Sequence, residues 1–242
     1  MEKLWVIGIG AGDPDQVTVQ AIKAMNQVDV FVVIGKGAEK QELVDLRTAI
    51  LAEHVERPYR VVEVADPPRE RRPDDYGSTV DDWHDRRAEV LGRVFDDITG
   101  TAGILVWGDP SLYDSTLRIV ERVREKAQFD YEVVPGITSI QALAARHRIV
   151  LNRIGEPVRI TTGRRLHDET VTNAVVMLDG DCAFTEVPGD DVDIWWGAYL
   201  GMPDEVLVSG SLRDVEGDIQ QVRSELRDRK GWIMDTYLLR RR

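Results

Sequence analysis

Short β-branched runs that end in glycine or Asp-Pro, each followed by apolar residues at helical spacing, constrain this chain more than any other feature. Leu4–Ile9, Val30–Ile34, Val61–Val64, Ile104–Trp107 and Tyr131–Val134 are five such runs. Between them Val17, Ala21, Ala24 and Val28 recur at three- and four-residue intervals, as do Leu43, Leu46 and Ile50. Trp83, Val90, Val94 and Ile98 make a third stripe, and Leu117, Val120 and Ala127 a fourth. Strands apolar on both faces and separated by amphipathic helices predict an α/β fold with a covered parallel sheet. Ligands of such sheets bind at the carboxyl ends of the strands.

Beyond about residue 151 the texture changes. Val158–Thr162, Ala174–Leu178, Asp193–Leu200, Glu205–Ser209 and Trp232–Leu238 read as strands, with one helix over Asp218–Arg229 from the stripe Ile219, Val222, Leu226. The reading is therefore two domains: a parallel-sheet α/β domain over 1–151, and a smaller, mainly β, mixed-sheet domain over 152–242. A unit of about 90 residues buries little surface alone, which predicts an interface with the first domain or with a second subunit. The segment Asp66–Asp75 holds three prolines and many charges and reads as a surface loop, a candidate lid.

Charge limits the partners. There are 31 Lys and Arg against 43 Asp and Glu, a net charge of −12, which repels nucleic acid and anionic membrane. The longest apolar run, Val30–Ile34, falls far below the ~20 residues of a membrane span. No signal peptide is visible, and one cysteine, Cys182, allows no internal disulfide; both point to the cytoplasm. No spacing suggests a metal site, and none is expected. Against this acidic background, the stretch from Ile137 to His167 carries Arg146, Arg148, Arg153, Arg159, Arg164 and Arg165 with the single acid Glu156. Such a segment is either a solvated basic face or a seat for a small polyanion.

Three loops follow three strands. In Gly8-Ile9-Gly10-Ala11-Gly12-Asp13-Pro14, an aspartate stands where a dinucleotide fingerprint needs its third glycine. That carboxylate would repel a pyrophosphate, which argues against a nicotinamide-dependent oxidoreductase and for a neutral or cationic ligand. Asp13 reads as a helix N-cap with Pro14 in the first turn. In Trp107-Gly108-Asp109-Pro110-Ser111-Leu112-Tyr113, Asp109 either caps the next helix or bonds a ligand. In Val134-Pro135-Gly136-Ile137-Thr138-Ser139, the two hydroxyls either cap a helix or contact a ligand. Following strands of one parallel sheet, all three loops can open onto one edge.

In order and spacing these motifs resemble the tetrapyrrole methylases, the family that builds cobalamin and sirohaem. The likeness spans nearly the whole chain. It is closest to members of the aerobic cobalamin pathway, through Asp75-Tyr76-Gly77 to Trp83-His84, Trp107 to Thr116, Gln141 to Ile149, and Leu151 to Pro157. The resemblance implies a homodimer of two-domain subunits that binds S-adenosylmethionine in the cleft between the domains and methylates a small tetrapyrrole. Within the closer branch it implies methylation of precorrin-5 at C-1, with water expelling the C-20 acetyl group as acetate to give precorrin-6A. Another precorrin methyltransferase or a non-catalytic tetrapyrrole carrier are the alternatives.

Carried over by position, Gly10 and Ala11, then Gly108, Asp109 and Leu112, then Thr138 and Ser139 would touch the cofactor, and Leu178, Tyr199 and Leu200 would border its adenine. Ala11 stands where the family commonly has proline, and Asp179–Asp193 where relatives carry a helix. Arg146, Arg148, Arg153, Arg164 and Arg165 become candidate anchors for the substrate's carboxylates, while Arg159, inside a strand, is expected to have a structural partner. Acetate release calls for a general base, Asp109 or His147, and for a donor to the developing oxyanion, Tyr113. His147 reads equally as a helix C-terminal histidine favoured by the dipole. His84 and Tyr76 lie beside the Pro-rich loop, and His54 is expected on a helix surface.

Overall fold

A computed structural model describes residues 1–35, 41–68, 76–168 and 171–242, with the side chains of 41 and 76–80 set aside. Two compact units emerge: Met1–Gly10 with Pro14–Ile137, and Ala11–Asp13 with Thr138–Arg242.

The first unit alternates strand and helix: β1 (Lys3–Gly8), α1 (Val19–Met25), β2 (Val30–Gly35), α2 (Gln41–His54), β3 (Arg60–Ala65), α3 (Tyr76–Asp96), β4 (Thr101–Val106), α4 (Thr116–Arg124) and β5 (Asp130–Val134). Its five strands form a wholly parallel sheet in the order β3-β2-β4-β1-β5. The two-residue period of β1 sends Leu4 and Val6 to one face, against Leu91 and Phe95 of α3 and Ile119, Val120 and Val123 of α4. Trp5 and Ile7 go to the other, against Ala21 and Met25 of α1 and Ile50 and Leu51 of α2. β1, β2 and β4 are buried on both faces, which is why they read as continuous apolar runs, while the edge strands β3 and β5 are largely exposed.

The second unit contains α5 (Ser139–His147), β6 (Arg159–Thr162), β7 (Asn173–Met177), β8 (Val192–Ala198), β9 (Val206–Ser211), α6 (Leu212–Lys230) and β10 (Asp235–Arg241). Its sheet is mixed, in the order β6-β7-β10-β8-β9, with β6 parallel to β7 and the other pairs antiparallel. A buried ion pair, Arg223 Nε to Asp235 Oδ2 at 2.9 Å, fastens α6 to β10. Arg223 also donates to the Gly180 carbonyl at 3.3 Å.

Several local expectations change. The chain divides at 137/138, not 151, because α5 packs on β8 and β10. Asp13 does not cap an α-helix: Pro14–Gln16 is one 3-10 turn, and Thr18 caps α1, its Oγ1 accepting from Ala21 N at 3.0 Å. The helix expected over 218–229 begins at Leu212, and β10 begins three residues after Trp232. His54 ends α2 partly exposed, with its Nε2 buried and without a hydrogen-bond partner among the described residues. Of the Pro-rich loop, 69–75 lie outside the described residues, as does the Tyr76 side chain.

Candidate active site

The three loops converge. β4, β1 and β5 are neighbours, and the glycines at their carboxyl ends meet backbone to backbone. A Cβ on Gly136 would overlap the Gly108 carbonyl oxygen and lie 2.9 Å from Gly8 Cα; one on Gly8 would lie 2.6 Å from Gly136 N. Gly10 and Gly108 form an isolated antiparallel bridge in which Gly108 N donates to Gly10 O at 2.7 Å. Both have positive φ, 86° and 67°, the left-handed region that glycine enters without penalty.

Asp109 ties the second loop to the third. Its Oδ2 accepts from Gly136 N at 2.8 Å, and its Oδ1 from Ser111 N at 2.8 Å and Ser111 Oγ at 2.5 Å. Partial burial works to raise its pKa, but the hydrogen bonds from the Ser111 side chain, Gly136 and the Ser111 backbone win, holding the carboxyl below its ordinary range. Asp109 therefore stays ionised and makes a poor proton acceptor. It does not cap α4 either; that place is taken by Ser115. Leu112, half-buried, closes the turn through its N–H to Asp109 O at 3.3 Å. Tyr113 sits in the left-handed region (φ 49°) with an exposed side chain and no hydroxyl hydrogen bond among the described residues. A tyrosine held in that region carries backbone strain.

The far half of the first loop belongs to the second unit. Ala11 is buried, and a Cβ on Gly12 would overlap Leu200 O and approach Met202 Cγ to 2.8 Å. Leu200 is buried beside this contact. Tyr199 has positive φ (49°), but its ring is core: it packs edge-on against Trp232, and its hydroxyl donates to Trp232 O at 2.6 Å. Leu178 is exposed with φ 53° and opens onto a cavity of 270 Å³ lined also by Asp179, Gly180, Arg223, Met234 and Asp235. Burial lifts the Asp235 carboxyl above its usual range despite Arg223.

The Thr138 and Ser139 hydroxyls are engaged in structure. Thr138 Oγ1 accepts from Ile140 N at 3.2 Å in a capping box with Gln141. Ser139 Oγ accepts from Thr236 Oγ1 at 3.0 Å, fixing α5 to β10. His147, in the last turn of α5, bonds through Nε2 to the Trp196 carbonyl at 3.0 Å. Burial lowers its pKa in spite of that bond, so the ring is neutral at pH 7 with Nε2 as the donor.

The arginines divide. Arg146 is ion-paired with Glu205, Arg165 with Asp168, and Arg153 bonds the Arg241 carbonyl. Arg159 has its expected partner, the Arg165 carbonyl at 2.7 Å. Arg164 is exposed; Arg148, also exposed, makes no side-chain hydrogen bond among the described residues.

Residue-by-residue reading missed Gly8 and Gly136 as members of the junction; their signal was a glycine at, or two residues past, the carboxyl end of a strand. It also missed Glu205, which looks like an ordinary acid before a strand. Among the described residues no group of three His, Cys, Asp or Glu could hold a metal ion, and no helix is long and apolar enough to cross a membrane.

Comparisons with known proteins show the family and the fold. The family model of the tetrapyrrole (corrin/porphyrin) methylases matches residues 3–216. A precorrin-6A synthase (deacetylating) of Sinorhizobium sp is 49% identical over 250 residues, spanning 100% of this chain and 96% of that protein. A solved structure from Corynebacterium diphtheriae, described as related to cobalamin synthesis, aligns with a TM-score of 0.85 at 40% identity over 100% of this chain and 99% of that one. The uroporphyrin-III C-methyl transferase of Thermus thermophilus, solved in complex with S-adenyl homocysteine, shares the fold at TM-score 0.60 and 17% identity, over 98% and 92% of the two chains.

Proposed function

We propose that this chain, which belongs to the tetrapyrrole methylase family, is an S-adenosylmethionine-dependent C-methyltransferase of cobalamin biosynthesis that methylates precorrin-5 at C-1 and releases acetate to give precorrin-6A. The observation that carries this reading is the junction of Gly8, Gly108 and Gly136. There three loop backbones pack on one another at the carboxyl ends of neighbouring strands, beside an ionised carboxylate, Asp109, that no cationic side chain bonds among the described residues. That chemistry suits a sulfonium and repels a phosphate. Bound there, the cofactor supplies an electrophilic methyl group.

The chain's own residues then have mainly to position. A methyl displacement needs in-line approach at about 3 Å and little acid–base help, so rigid loops supply much of the acceleration. Gly10, Ala11, Gly108 and Leu112 form the cofactor-facing backbone in this reading, and Asp109 acts by clamping two loops and by its charge. Thr138 and Ser139 contribute by starting α5 in place. Leu178 and Leu200 offer apolar surface to the adenine, with Tyr199 acting through its strained backbone. Water attack on the acetyl carbonyl requires a base and an oxyanion donor. His147, neutral and with Nδ1 left as its acceptor nitrogen, takes the first role and the Tyr113 hydroxyl the second. Arg148, Arg153, Arg164 and Arg165 meet the substrate's carboxylates, Arg148 foremost because its guanidinium is uncommitted among the described residues. The enzyme is read as a cytoplasmic homodimer.

The test supplies methyl-labelled S-adenosylmethionine and precorrin-5. One acetate is expected per methyl transferred. Transfer without acetate would reject the deacetylating step, and tight precorrin binding without transfer would make the chain a carrier.

A further inference from the structure

Glu205 joins two things that the sequence kept apart. Its side chain is 9% exposed, and its carboxylate divides its work. Oε1 accepts from Arg146 Nε at 2.5 Å, and Oε2 accepts from Gly201 N at 2.8 Å. Gly201 lies in the turn after β8, where Met202 N donates to Tyr199 O at 2.8 Å and Glu205 N to Met202 O at 3.0 Å. Against this turn rests the far half of the first glycine loop. A Cβ on Gly201 (φ 79°) would come within 2.6 Å of Asp13 N and 3.0 Å of Asp13 Cβ, and one on Gly12 would overlap Leu200 O. Neither side of the contact has room for a methyl group. Any rotation of the Gly201 peptide is therefore passed directly to Ala11–Asp13. Arg146 also feels the negative charge of Asp13, so one guanidinium serves both sides.

We propose that Glu205, oriented by Arg146, is a positioning residue for the cofactor loop, and that Arg146 does this work in place of anchoring a substrate carboxylate. The proposal rests on the reading that the first loop binds S-adenosylmethionine. A charge-assisted bond from a mostly buried carboxylate to a backbone N–H is among the stronger local restraints, whereas the half-exposed ion pair to Arg146 contributes less.

Calorimetric titration of the full chain with S-adenosylhomocysteine, beside steady-state kinetics, tests this. Glu205→Ala is expected to weaken S-adenosylhomocysteine roughly tenfold, and Arg146→Ala about threefold. The double variant should be no worse than Glu205→Ala alone, because Arg146 acts through Glu205. The KM for the tetrapyrrole, and kcat at saturating cofactor, should stay within about twofold, and Arg146→Lys should recover part of the loss. If Glu205→Ala does not fold, Glu205→Gln, which keeps an acceptor without the charge, decides with a smaller loss of the same kind. An unchanged S-adenosylhomocysteine affinity in a Glu205→Gln protein with the wild-type melting temperature overturns the proposal. So does an Arg146→Ala effect confined to the tetrapyrrole KM. Absence of S-adenosylhomocysteine binding by the wild-type chain would instead reject the cofactor reading itself.

Discussion

At the scale of single residues, Asp109 and His84 show how the same folded interior can hold one group charged and another neutral. Asp109 accepts three hydrogen bonds from two loops, so Asp109→Asn replaces a carboxylate by an amide that must turn a donor toward Gly136 N or Ser111. Losing charged hydrogen bonds of this kind costs roughly 1.5–3 kcal/mol. The expected result is a ten- to hundredfold rise in the Kd for S-adenosylhomocysteine, read by calorimetry; an unchanged Kd would mean that the clamp does not shape the binding loops. His84 on α3 is 4% exposed, and neither ring nitrogen has a hydrogen bond among the described residues. Burial, then the positive charges of Arg122, Arg118 and Arg87 against the pull of Asp81, push its pKa below the ordinary histidine value. The native state thus binds fewer protons than the unfolded chain in mild acid. The stability linked to this histidine is complete above its unfolded pKa of about 6.5 and is lost as pH falls from there toward the folded value. Urea unfolding of His84→Leu at pH 7.5 and pH 5 should show a smaller loss on acidification than the wild type. Parallel losses would clear His84 of the effect.

Among the elements, glycines separate by what surrounds them. Gly136→Ala places a methyl group into the Gly108 carbonyl at the strand junction, and overpacking at such a point costs about 1–3 kcal/mol. It should abolish S-adenosylhomocysteine binding even where the protein still folds. Gly217 lies on the exposed face of α6 with nothing within 4 Å of its missing Cβ, so Gly217→Ala should stabilise by about 0.5–1 kcal/mol and raise Tm by a few degrees. The five strands of the first sheet could be read from sequence to within a few residues: β1, β2 and β4, buried on both faces, leave nearly uninterrupted apolar runs, and the exposed edge strands β3 and β5 still carry β-branched pairs. Gly217 and its acidic neighbours hid the start of α6 at Leu212. The boundary moved because the apolar stripe of α5 shows that the helix packs, but not on which sheet. Convergence of the loops was legible from their order after neighbouring strands. The duties of Asp109 and Arg146 were not, since Gly136 lies 27 residues from one and Glu205 lies 59 from the other.

For the whole molecule, the net charge of −12 opposes a polycarboxylate substrate, while in the proposed function the arginines between 148 and 165 attract it. The local field wins at short range, because water and salt screen the more distant acids over a Debye length of about 8–10 Å. The KM for the tetrapyrrole should therefore rise with ionic strength, and Arg148→Gln should flatten that rise; a KM that falls with salt would place the substrate away from this segment. The chain order adds a constraint in time. Residues 11–13 leave the ribosome near the beginning, but the turn they rest on, Leu200–Met202, is made about 190 residues later. At roughly 5–20 residues per second that is a delay of roughly 10–40 s. A nascent polypeptide can therefore complete its first sheet before residues 11–13 have the turn they rest on. The bare backbones at Gly12 and Gly201 let that late docking proceed without a side chain in the way.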